Sequence, residues 1–465
     1  MDLEQYLAII IFAVMFIVIM SDKFHRYVPA LAGAAVTSLL LLVALDSGPT
    51  NVWHVLRLYD FFEPSWWFHR GAAELHTGTS VNGGPEIGGV NWQTIVFIGG
   101  MMVMVEGLGA VGFFRWLCLW VARLVNYKII PILITFMLLS GFLSMFIDSI
   151  TVLLFLAVVT IELARLLKFD PVPLIMAEIF AANVGGSATM CGDPPNIIIG
   201  TALGYTFSDF AANTGPIAWI GMIFALAMFY LFFRKVLTRR TSDDANGEPT
   251  HYPAPSEAIT DRRQFKINTA IFLVIVVLLV THAQSGMSVA LIGVTAAALT
   301  LITARRDQLN HIVKGIDWRT LVFFFGLFVT VGGLEATGVL EKLANLIGDA
   351  SGDNLMIVIP LILWISAIAS AVVDNIPFAA TMVPVIKNLS LTQGLNLDTM
   401  AWTLALGTDI GGNATPIGAS ANVVATAIAH KEGYHISWGR FCKYAIPAMI
   451  VVVGLCHLYL VLRYA

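Results

Sequence analysis

Ten stretches of the sequence are apolar and long enough, or nearly so, to cross a lipid bilayer. A helix that crosses the hydrocarbon core needs about 20 mostly apolar residues, and inside that core every backbone polar group must bond within the protein. Of the 465 residues, 58% are hydrophobic and only 12% are charged. The sequence therefore predicts an all-α polytopic membrane protein. The apolar stretches cover residues 6–20, 28–46, 92–109, 172–205, 214–234, 266–283, 286–304, 318–336, 397–430 and 439–463.

The remaining composition argues against several classes of function. The net charge of -4 is small and the basic residues are scattered, so no nucleic-acid partner is expected. The four cysteines lie far apart and lack the spacing of a zinc site or a disulfide framework. No phosphate-binding loop, metal motif or nucleophile and base arrangement is present, so we predict neither an enzyme nor a resident cofactor. The N-terminus lacks a basic region and a cleavage site, so its apolar stretch is expected to be a retained helix.

A glycine-rich motif inside one apolar stretch occurs twice. NVGGSATMCGDPPN at 183–196 aligns with DIGGNATPIGASAN at 409–422 without a gap, an offset of 226 residues. The same offset places Trp92 on Trp318 and Asp148 on Asp374. We therefore predict an internal duplication, with a first repeat over 1–234, a hydrophilic cytoplasmic linker over 235–265 and a second repeat over 266–465.

The distribution of Lys and Arg predicts the orientation in the membrane. Basic residues concentrate in cytoplasmic loops, and with the N-terminus outside all but five of them fall on the inner side. Each repeat has five crossings, so the second must enter from the opposite side, which makes the repeats inverted as in many secondary transporters. Both termini are then outside, and we expect the plasma (inner) membrane of a prokaryote. The five exceptions are Arg57, Arg70, Lys342, Lys387 and Arg463.

Two further segments, 129–167 and 355–389, are each a pair of apolar arms separated by a short polar tip. We predict re-entrant helical hairpins, because non-helical backbone at membrane depth is tolerated where protein or a water-filled cavity surrounds it. The glycines and prolines of the repeated motif predict that the helices over 172–205 and 397–430 are broken midway. Amphipathic stretches at 113–127 and 339–347 precede the hairpins and predict helices along the membrane surface.

Four aspartates fall at the hairpin tips or helix breaks, namely Asp148, Asp193, Asp374 and Asp409. An ionised group at membrane depth costs about 2.5 to 3.5 kcal/mol, so such groups usually serve a function. The hairpin-tip pair could instead cap the second arm of each hairpin. Under the offset, Asp193 falls on Ala419 and Asn183 falls on Asp409. The symmetry is thus broken within the motif itself, which suggests a dedicated proton or cation site.

Breaking a helix frees backbone carbonyls that favour a cation and backbone amides that favour an anion. Nearby hydroxyl and amide side chains either add ligands for that ion or serve only to cap and pack the helices. No Lys or Arg occurs in the tips or breaks, which favours a cation, or a neutral solute exchanged for protons, over a dicarboxylate, although half-helix dipoles can hold an anion alone. Besides the four aspartates, the predicted ion-binding residues are Ser149, Thr151, Asn183, Gly185, Gly186, Ser187, Thr189, Asn196, Asn375, Gly411, Gly412, Asn413, Thr415, Ser420 and Asn422. Within this set, the possible sodium ligands are Ser149, Gly185, Thr189, Asn375, Gly411 and Thr415. Weaker acidic candidates are Glu106, Glu178 and Glu335.

The motifs GGSATMCGDPPN with FIDSIT, and DNIPFAATMVPV with GGNATPIGASANVV, resemble the ion-transporter superfamily, most closely its branch containing the melanosomal P protein and the arsenite permeases. The resemblance runs from about Trp92 to the C-terminus and leaves out the loop 47–91. It implies an inverted-repeat elevator, in which a domain of hairpins and broken helices slides against a scaffold that usually forms a homodimer. The dicarboxylate carriers of this superfamily carry Ser-Asn-Thr at both tips, whereas here the tips read Asp-Ser-Ile-Thr from Asp148 and Asp-Asn-Ile-Pro from Asp374.

Together these features predict a proton-coupled secondary transporter of a small ion or solute in the lipid bilayer. The hypothesis is sodium/proton antiport by alternating access, with protons carried by Asp193, Asp409 and the paired Asp148 and Asp374. Two alternatives stay open. One is arsenite or antimonite efflux, for which Cys191 is a candidate soft ligand, and the other is sodium-coupled transport of a dicarboxylate or citrate. A channel or receptor is disfavoured, because two hairpins with opposite openings suggest two gates.

Overall fold

The computed structural model describes residues 2–21, 23–44, 48–68, 89–237, 252–351 and 354–465, and these residues are predominantly helical. In the first half the helices are α1 Leu3–Met20, α2 Tyr27–Ala44, α3 Gly48–Leu56, α4 Pro64–Trp67, α5 Trp92–Ala110, α6 Phe113–Leu124, α7 Ile129–Leu143, α8 Ser149–Leu167, α9 Val172–Gly186, α10 Pro194–Leu203, α11 Phe207–Asn213 and α12 Gly215–Leu237. In the second half they are α13 Arg262–Val280, α14 His282–Ser285, α15 Val289–Thr303, α16 Arg306–Gly315, α17 Trp318–Ala336, α18 Val339–Ser351, α19 Leu355–Val372, α20 Asn375–Gln393, α21 Leu397–Gly411, α22 Ser420–Lys431 and α23 Trp438–Tyr464.

The predicted all-α polytopic fold is confirmed. Within the described residues, eight helices are long and apolar enough to cross a membrane, and four shorter apolar helices accompany them. Both predicted hairpins are present as helix pairs, α7 with α8 and α19 with α20, and the arm α20 continues to Gln393, four residues beyond the predicted end. Both predicted broken helices are interrupted at the repeated motif, as α9 with α10 and as α21 with α22. The amphipathic stretches form α6 and α18.

Equivalent helices begin with equivalent caps. The Asn91 side chain accepts a bond from the Thr94 amide at the start of α5, and the Asp317 side chain accepts one from the Thr320 amide at the start of α17, each at 3.2 Å. Such caps satisfy amides that the first helical turn leaves without partners. The two caps are 226 residues apart, so the repeat noticed in the sequence is also a repeat of local structure.

The halves pack across each other. Helix α5 of the first half lies along α15 of the second, while α17 of the second half lies along α2 of the first. In each hairpin, the first arm packs on the broken helix of its own half, α7 against α9 and α19 against α21, while the second arm packs on the broken helix of the other half, α8 against α22 and α20 against α10. The contacts therefore divide into a shared framework and one unit built from both hairpins and both broken helices. The inverted orientation of the repeats and the domain boundaries stay predictions.

The described parts of the linker 235–265 and of the loop 47–91 pack against the helices. In the predicted linker 235–265, α12 continues to Leu237 and residues 238–251 lie outside the described part. The end of that linker docks near α6, where the Tyr127 and Tyr252 rings stack at 4.3 Å. In the loop 47–91, residues 48–68 form short helices, and the Phe61 ring lies 5.3 Å from the Trp92 ring. Arg70, one of the orientation exceptions, lies outside the described residues.

Candidate ion-binding site

Both helix breaks are held by the same bond pattern. The Asn196 side-chain amide donates to the carbonyls of Gly186 and Thr189, at 3.1 Å each. The Asn422 amide makes the equivalent pair of bonds across the second break, at 2.8 Å each. These asparagines satisfy carbonyls that the interrupted helices leave without partners. Each of these two predicted asparagines therefore bridges two carbonyls of its break through its side-chain nitrogen.

A hydroxyl in each break fixes the tip of the facing hairpin. Thr189 Oγ1 donates to the carbonyl of Met145, and Thr415 Oγ1 donates to the carbonyl of Ala371, both at 2.5 Å. Tip and break are therefore joined in both halves by bonds that again lie 226 residues apart. Thr189 and Thr415, two of the predicted sodium ligands, therefore connect each hairpin tip to its broken helix.

Two further predicted sodium ligands, Gly185 and Gly411, lie where a hairpin arm crosses a broken helix. A Cβ atom at Gly185 would come within 2.1 Å of the Gly141 carbonyl oxygen, and one at Gly411 would come within 2.3 Å of the Ala367 Cα. Both distances are far inside van der Waals contact, so only glycine permits this close approach. Gly186 and Gly412 also lie in tight packing, against the backbones of Gly192 and Gly418.

Asp193 joins the two hairpin tips. Its side chain accepts a bond from Ser149 Oγ at 2.5 Å and one from the Asn375 amide at 2.9 Å. These donors are the first residues of α8 and α20, and they are equivalent under the offset. Asp193 is only 2% exposed. A single carboxylate from the first break thus holds equivalent residues from both hairpins, which include the remaining two predicted sodium ligands.

Asp409, next to this group, has no such partners. It is completely buried, and among the described residues neither of its carboxyl oxygens accepts a hydrogen bond of good geometry. The side chains of Asp193 and Asn196 lie nearest, within reach of the carboxyl, and the side-chain oxygen of Asn196 also lacks a partner within the described structure. Buried acceptors are normally satisfied, and a bare carboxylate at this depth needs a proton or a cation. The oxygens around Asp409 can supply several ligands to a hard cation.

The equivalent position in the other half is occupied by an amide. Asn183, which corresponds to Asp409, donates to Asn413 Oδ1 at 3.0 Å and to Asn422 Oδ1 at 2.9 Å. The side-chain nitrogen of Asn183 therefore lies among acceptor oxygens and partners them. The oxygens around Asp409 have no such donor. The symmetry between the repeats is thus broken at Asn183 and Asp409. The amide at 183 donates hydrogen bonds to its neighbours, whereas the carboxyl at 409 cannot do so unless it is protonated.

The two hairpin-tip aspartates cap their own arms, as the capping alternative foresaw. Asp148 accepts bonds from the Thr151 amide at 3.1 Å and from the Thr151 hydroxyl at 2.6 Å. Asp374 accepts one from the Ile376 amide at 3.2 Å. Their oxygens satisfy the first turns of α8 and α20.

Arg26, which the sequence analysis did not select, reaches the second hairpin. It pairs with Asp374 and donates to Ser420 Oγ at 2.7 Å. No Lys or Arg lies within the tips or breaks, but a positive charge reaches one tip from another segment. Arg26 comes from the loop between α1 and α2, and nothing in that loop's sequence signals the contact.

The other candidates lie apart from this group. Ser187 Oγ bonds to the carbonyl of Val184 within its own helix, at 2.8 Å. Glu178 is buried and accepts a bond from Thr160 at 2.5 Å, between α8 and α9. Glu106 lies against α16, and Glu335 lines a cavity near the end of α17.

Cavities lie toward the two ends of α17. One, of about 690 Å³, is lined by the α1–α2 loop, the start of α17 and the start of α22. The other, of about 310 Å³, is lined by the later turns of α17 together with parts of α10 and α20. Both include residues of the second hairpin, Ile376 in the larger cavity and Lys387 in the smaller. Open space thus approaches the second hairpin from two sides, and the larger cavity also reaches Ile150 of the first hairpin.

Comparison with known proteins agrees with this architecture. Residues 14–407 match the family model described as CitMHS, citrate transporter. The chain is 33% identical over 381 residues to a 46 kDa membrane protein of Mycobacterium leprae, covering 81% of this chain and 87% of that protein. It is 29% identical over 452 residues to the human P protein, covering 79% of this chain and 53% of that protein. The resemblance to the P protein branch is confirmed.

A solved structure shares the fold despite low identity. The YdaH transporter of Alcanivorax borkumensis matches with a TM-score of 0.58 at 13% identity, covering 93% of this chain and 97% of that one. MtrF of Neisseria gonorrhoeae, whose structure illuminates a class of antimetabolite efflux pumps, matches with a TM-score of 0.55 at 12% identity, covering 93% of this chain and 94% of that one. At such identities the likeness concerns the fold alone.

Proposed function

Because this chain belongs to the citrate transporter family and is a membrane transporter, we propose that it exchanges protons for a small cation, with sodium as the best candidate. The observation that carries the proposal is the buried Asp409 carboxyl, whose oxygens have no partner in the described residues and whose neighbour is a second carboxyl, Asp193. A proton or a cation can satisfy these oxygens in turn, which makes the two ions competitors for one site.

Sodium suits the ligands that the site offers. Hard cations prefer oxygen ligands, and this site offers carboxyl oxygens from Asp193 and Asp409 and the unpartnered side-chain oxygen of Asn196. The only positive charge bonded to a hairpin tip in the described structure, Arg26, is engaged by Asp374 rather than by the two central carboxyls. The charge balance at the centre therefore favours a cation.

The site is single rather than double in this proposal. The position equivalent to Asp409 carries the Asn183 amide, whose N–H groups already bond to two oxygens of the second half. The Asn183 amide provides a partner for the side-chain oxygens of Asn413 and Asn422. In this proposal, a bound cation provides the partner for the oxygens around Asp409. Because only one of the two equivalent positions carries a carboxyl, each chain has a single exchange site in this proposal.

Alternating access is proposed to follow from the arrangement of the two halves. Both hairpin tips bond to Asp193, so a hairpin can release the site toward one side while the other keeps it closed. In an elevator version, the hairpins and broken helices move together against the framework of α2, α5, α15 and α17.

A second candidate is sodium-coupled transport of an organic anion, and one observation favours it. The larger cavity is lined by Lys23, Arg26 and Arg319, whose charges can attract a carboxylate such as citrate. In this version, the anion enters through the larger, basic cavity, and the cation occupies the site at Asp193 and Asp409.

Transport by purified protein in liposomes separates the two candidates. With a pH-sensitive dye inside, an inward sodium pulse is expected to raise the internal pH without any organic anion present, while choline gives no response. Labelled citrate taken up only with sodium supports the second candidate. A response to neither sodium nor citrate contradicts both, and a growth test on arsenite in a sensitive strain then addresses efflux of that oxyanion.

A further inference from the structure

Three side chains from separate segments form a closed triangle of bonds at the tip of the second hairpin. Arg26 from the α1–α2 loop pairs with Asp374 and donates to Ser420 Oγ at 2.7 Å. Ser420 Oγ in turn donates to Asp374 Oδ2 at 2.6 Å. The triangle ties the N-terminal loop to the hairpin tip and to the start of α22. Bonds between charged groups are roughly twice as strong as neutral ones, so this contact is a firm connection.

The triangle lies at the boundary between water and the buried centre. The Arg26 side chain is 31% exposed, whereas that of Asp374 is only 5% exposed. Arg26 and Ser420 line the larger cavity, together with Ile376 of the hairpin. Behind them, Asn375 directly follows Asp374 and donates to Asp193. The triangle therefore lies between this cavity and Asp193 on the side of the second hairpin, while Ile150 of the first hairpin tip lines the same cavity.

The first hairpin has no equivalent connection among the described residues. Asp148, which corresponds to Asp374, accepts side-chain and backbone bonds from Thr151 of its own arm. Pro194 stands where Ser420 stands in the second half, and a proline side chain can donate no bond. The two hairpin tips are thus equivalent in their bonds to Asp193 but differ in their connection to the framework.

We propose that Arg26 is a positioning residue that latches the second hairpin shut on the side of the larger cavity. Its guanidinium holds Asp374, which holds the start of α20 and, with it, the Asn375 amide on Asp193. Opening this side requires the Arg26 bonds to break, while the first hairpin can open without such a step. This inference rests on the proposed alternating access but not on the identity of the ion.

The test measures whether the latch keeps the path behind it closed. A cysteine is placed at Ile376, a residue beside the latch on the wall of the larger cavity that is only 3% exposed, in protein whose partly exposed Cys442 is replaced by Ser. The rate of reaction with a charged, membrane-impermeant thiol reagent is measured on purified protein. Arg26→Ala is expected to raise the rate by about tenfold or more, the factor that one charge-assisted bond contributes to an equilibrium. Arg26→Lys, which keeps one charged bond, is expected to give an intermediate rate.

The matched control is Lys23→Ala, which removes the same charge from the same cavity and is expected to leave the rate unchanged. Equal rates for Arg26→Ala, Lys23→Ala and the parent overturn the proposal. A rise in reaction at the completely buried Cys456 as well overturns it too, because the effect is then a general loosening. Should Arg26→Ala not fold, Ser420→Ala carries the same test. The assay needs no ion transport, so the latch and the proposed exchange can fail separately.

Discussion

At the scale of single residues, the central feature is a carboxyl group that nothing in the described structure satisfies. Asp409 is held in place by packing and receives no donated bond. A residue that served stability would have partners, as Asp148 and Asp374 do at the hairpin tips. The lack of partners is understandable if the group must exchange its proton for an ion, because firm bonds to the protein would compete with that ion.

Replacing this carboxyl by an amide is expected to separate function from folding. Asp409→Asn removes the exchangeable charge and breaks no hydrogen bond of good geometry, so the melting temperature in sodium-free buffer should be unchanged or higher. Sodium-driven proton movement in liposomes should be lost. Asp398→Asn, at the other end of the same helix, is the matched control and should retain transport. Normal sodium-driven proton movement in Asp409→Asn contradicts the role assigned to this residue.

The equivalent amide provides the converse prediction. Asn183→Asp places a carboxyl opposite the side-chain oxygens of Asn413 and Asn422, to which the native amide donates. Loss of these bonds should cost about 2 to 6 kcal/mol in sodium-free buffer, since each of the two buried acceptors left without a partner costs about 1 to 3 kcal/mol. Saturating sodium should restore much of the loss. Thermal melts in sodium and in choline at equal ionic strength measure this. The same sodium-dependent shift in wild type and variant contradicts the idea that the amide replaces a second cation.

At the scale of elements, the sequence predicts the hairpins and breaks well because each has a local cause. A single proline such as Pro360 or Pro384 is tolerated inside these helices, but glycines and prolines clustered in one short stretch interrupt them, and the aspartates at 148 and 374 begin new ones. The pairing of segments has no such local signal. Arg26 lies in a loop whose basic residues look like an ordinary cytoplasmic flank, so its bond with Asp374, 348 positions away, emerges only from the fold. The sequence also indicated which residues surround the breaks, but not that Asn183 donates across the repeats.

The close crossing of hairpin and broken helix makes another prediction at this scale. Gly185→Ala places a methyl group 2.1 Å from the Gly141 carbonyl oxygen, so the helices must separate. Overpacking of this kind typically costs about 1 to 3 kcal/mol, and the melting temperature should fall accordingly. Gly454→Ala is the matched control, since nothing lies within 4 Å of an added Cβ there. A melting temperature for Gly185→Ala equal to that of the control contradicts the tight crossing.

At the scale of the whole molecule, the two types of packing distinguish a framework from the units that carry the site. The framework pairs α5 with α15 and α17 with α2, whereas the hairpins pack on the broken helices of both halves. In the proposed elevator movement, the contacts between the framework and the site unit are the ones that break. One is the bond between Thr94 of α5 and Thr201 of α10, at 2.9 Å between hydroxyl oxygens.

A covalent bond at this contact should stop transport. With Thr94→Cys and Thr201→Cys combined, oxidation should form a disulfide, given how closely the two side chains approach. Sodium-driven proton movement in liposomes should be lost on oxidation and return on reduction. The single cysteine variants are the controls and should transport under both conditions. Full transport by the oxidised, cross-linked protein contradicts relative motion of α5 and α10.

The most direct test of the account is proton release by the purified protein on binding sodium. In weakly buffered detergent solution with a pH indicator, adding sodium chloride to wild type should release protons, because the cation displaces them from the oxygens of Asp193 and Asp409. Choline chloride should release none, and Asp409→Asn should release none with either salt. Release that is the same in wild type and Asp409→Asn, or no release from wild type with any alkali cation, contradicts a proton and cation exchange at this site.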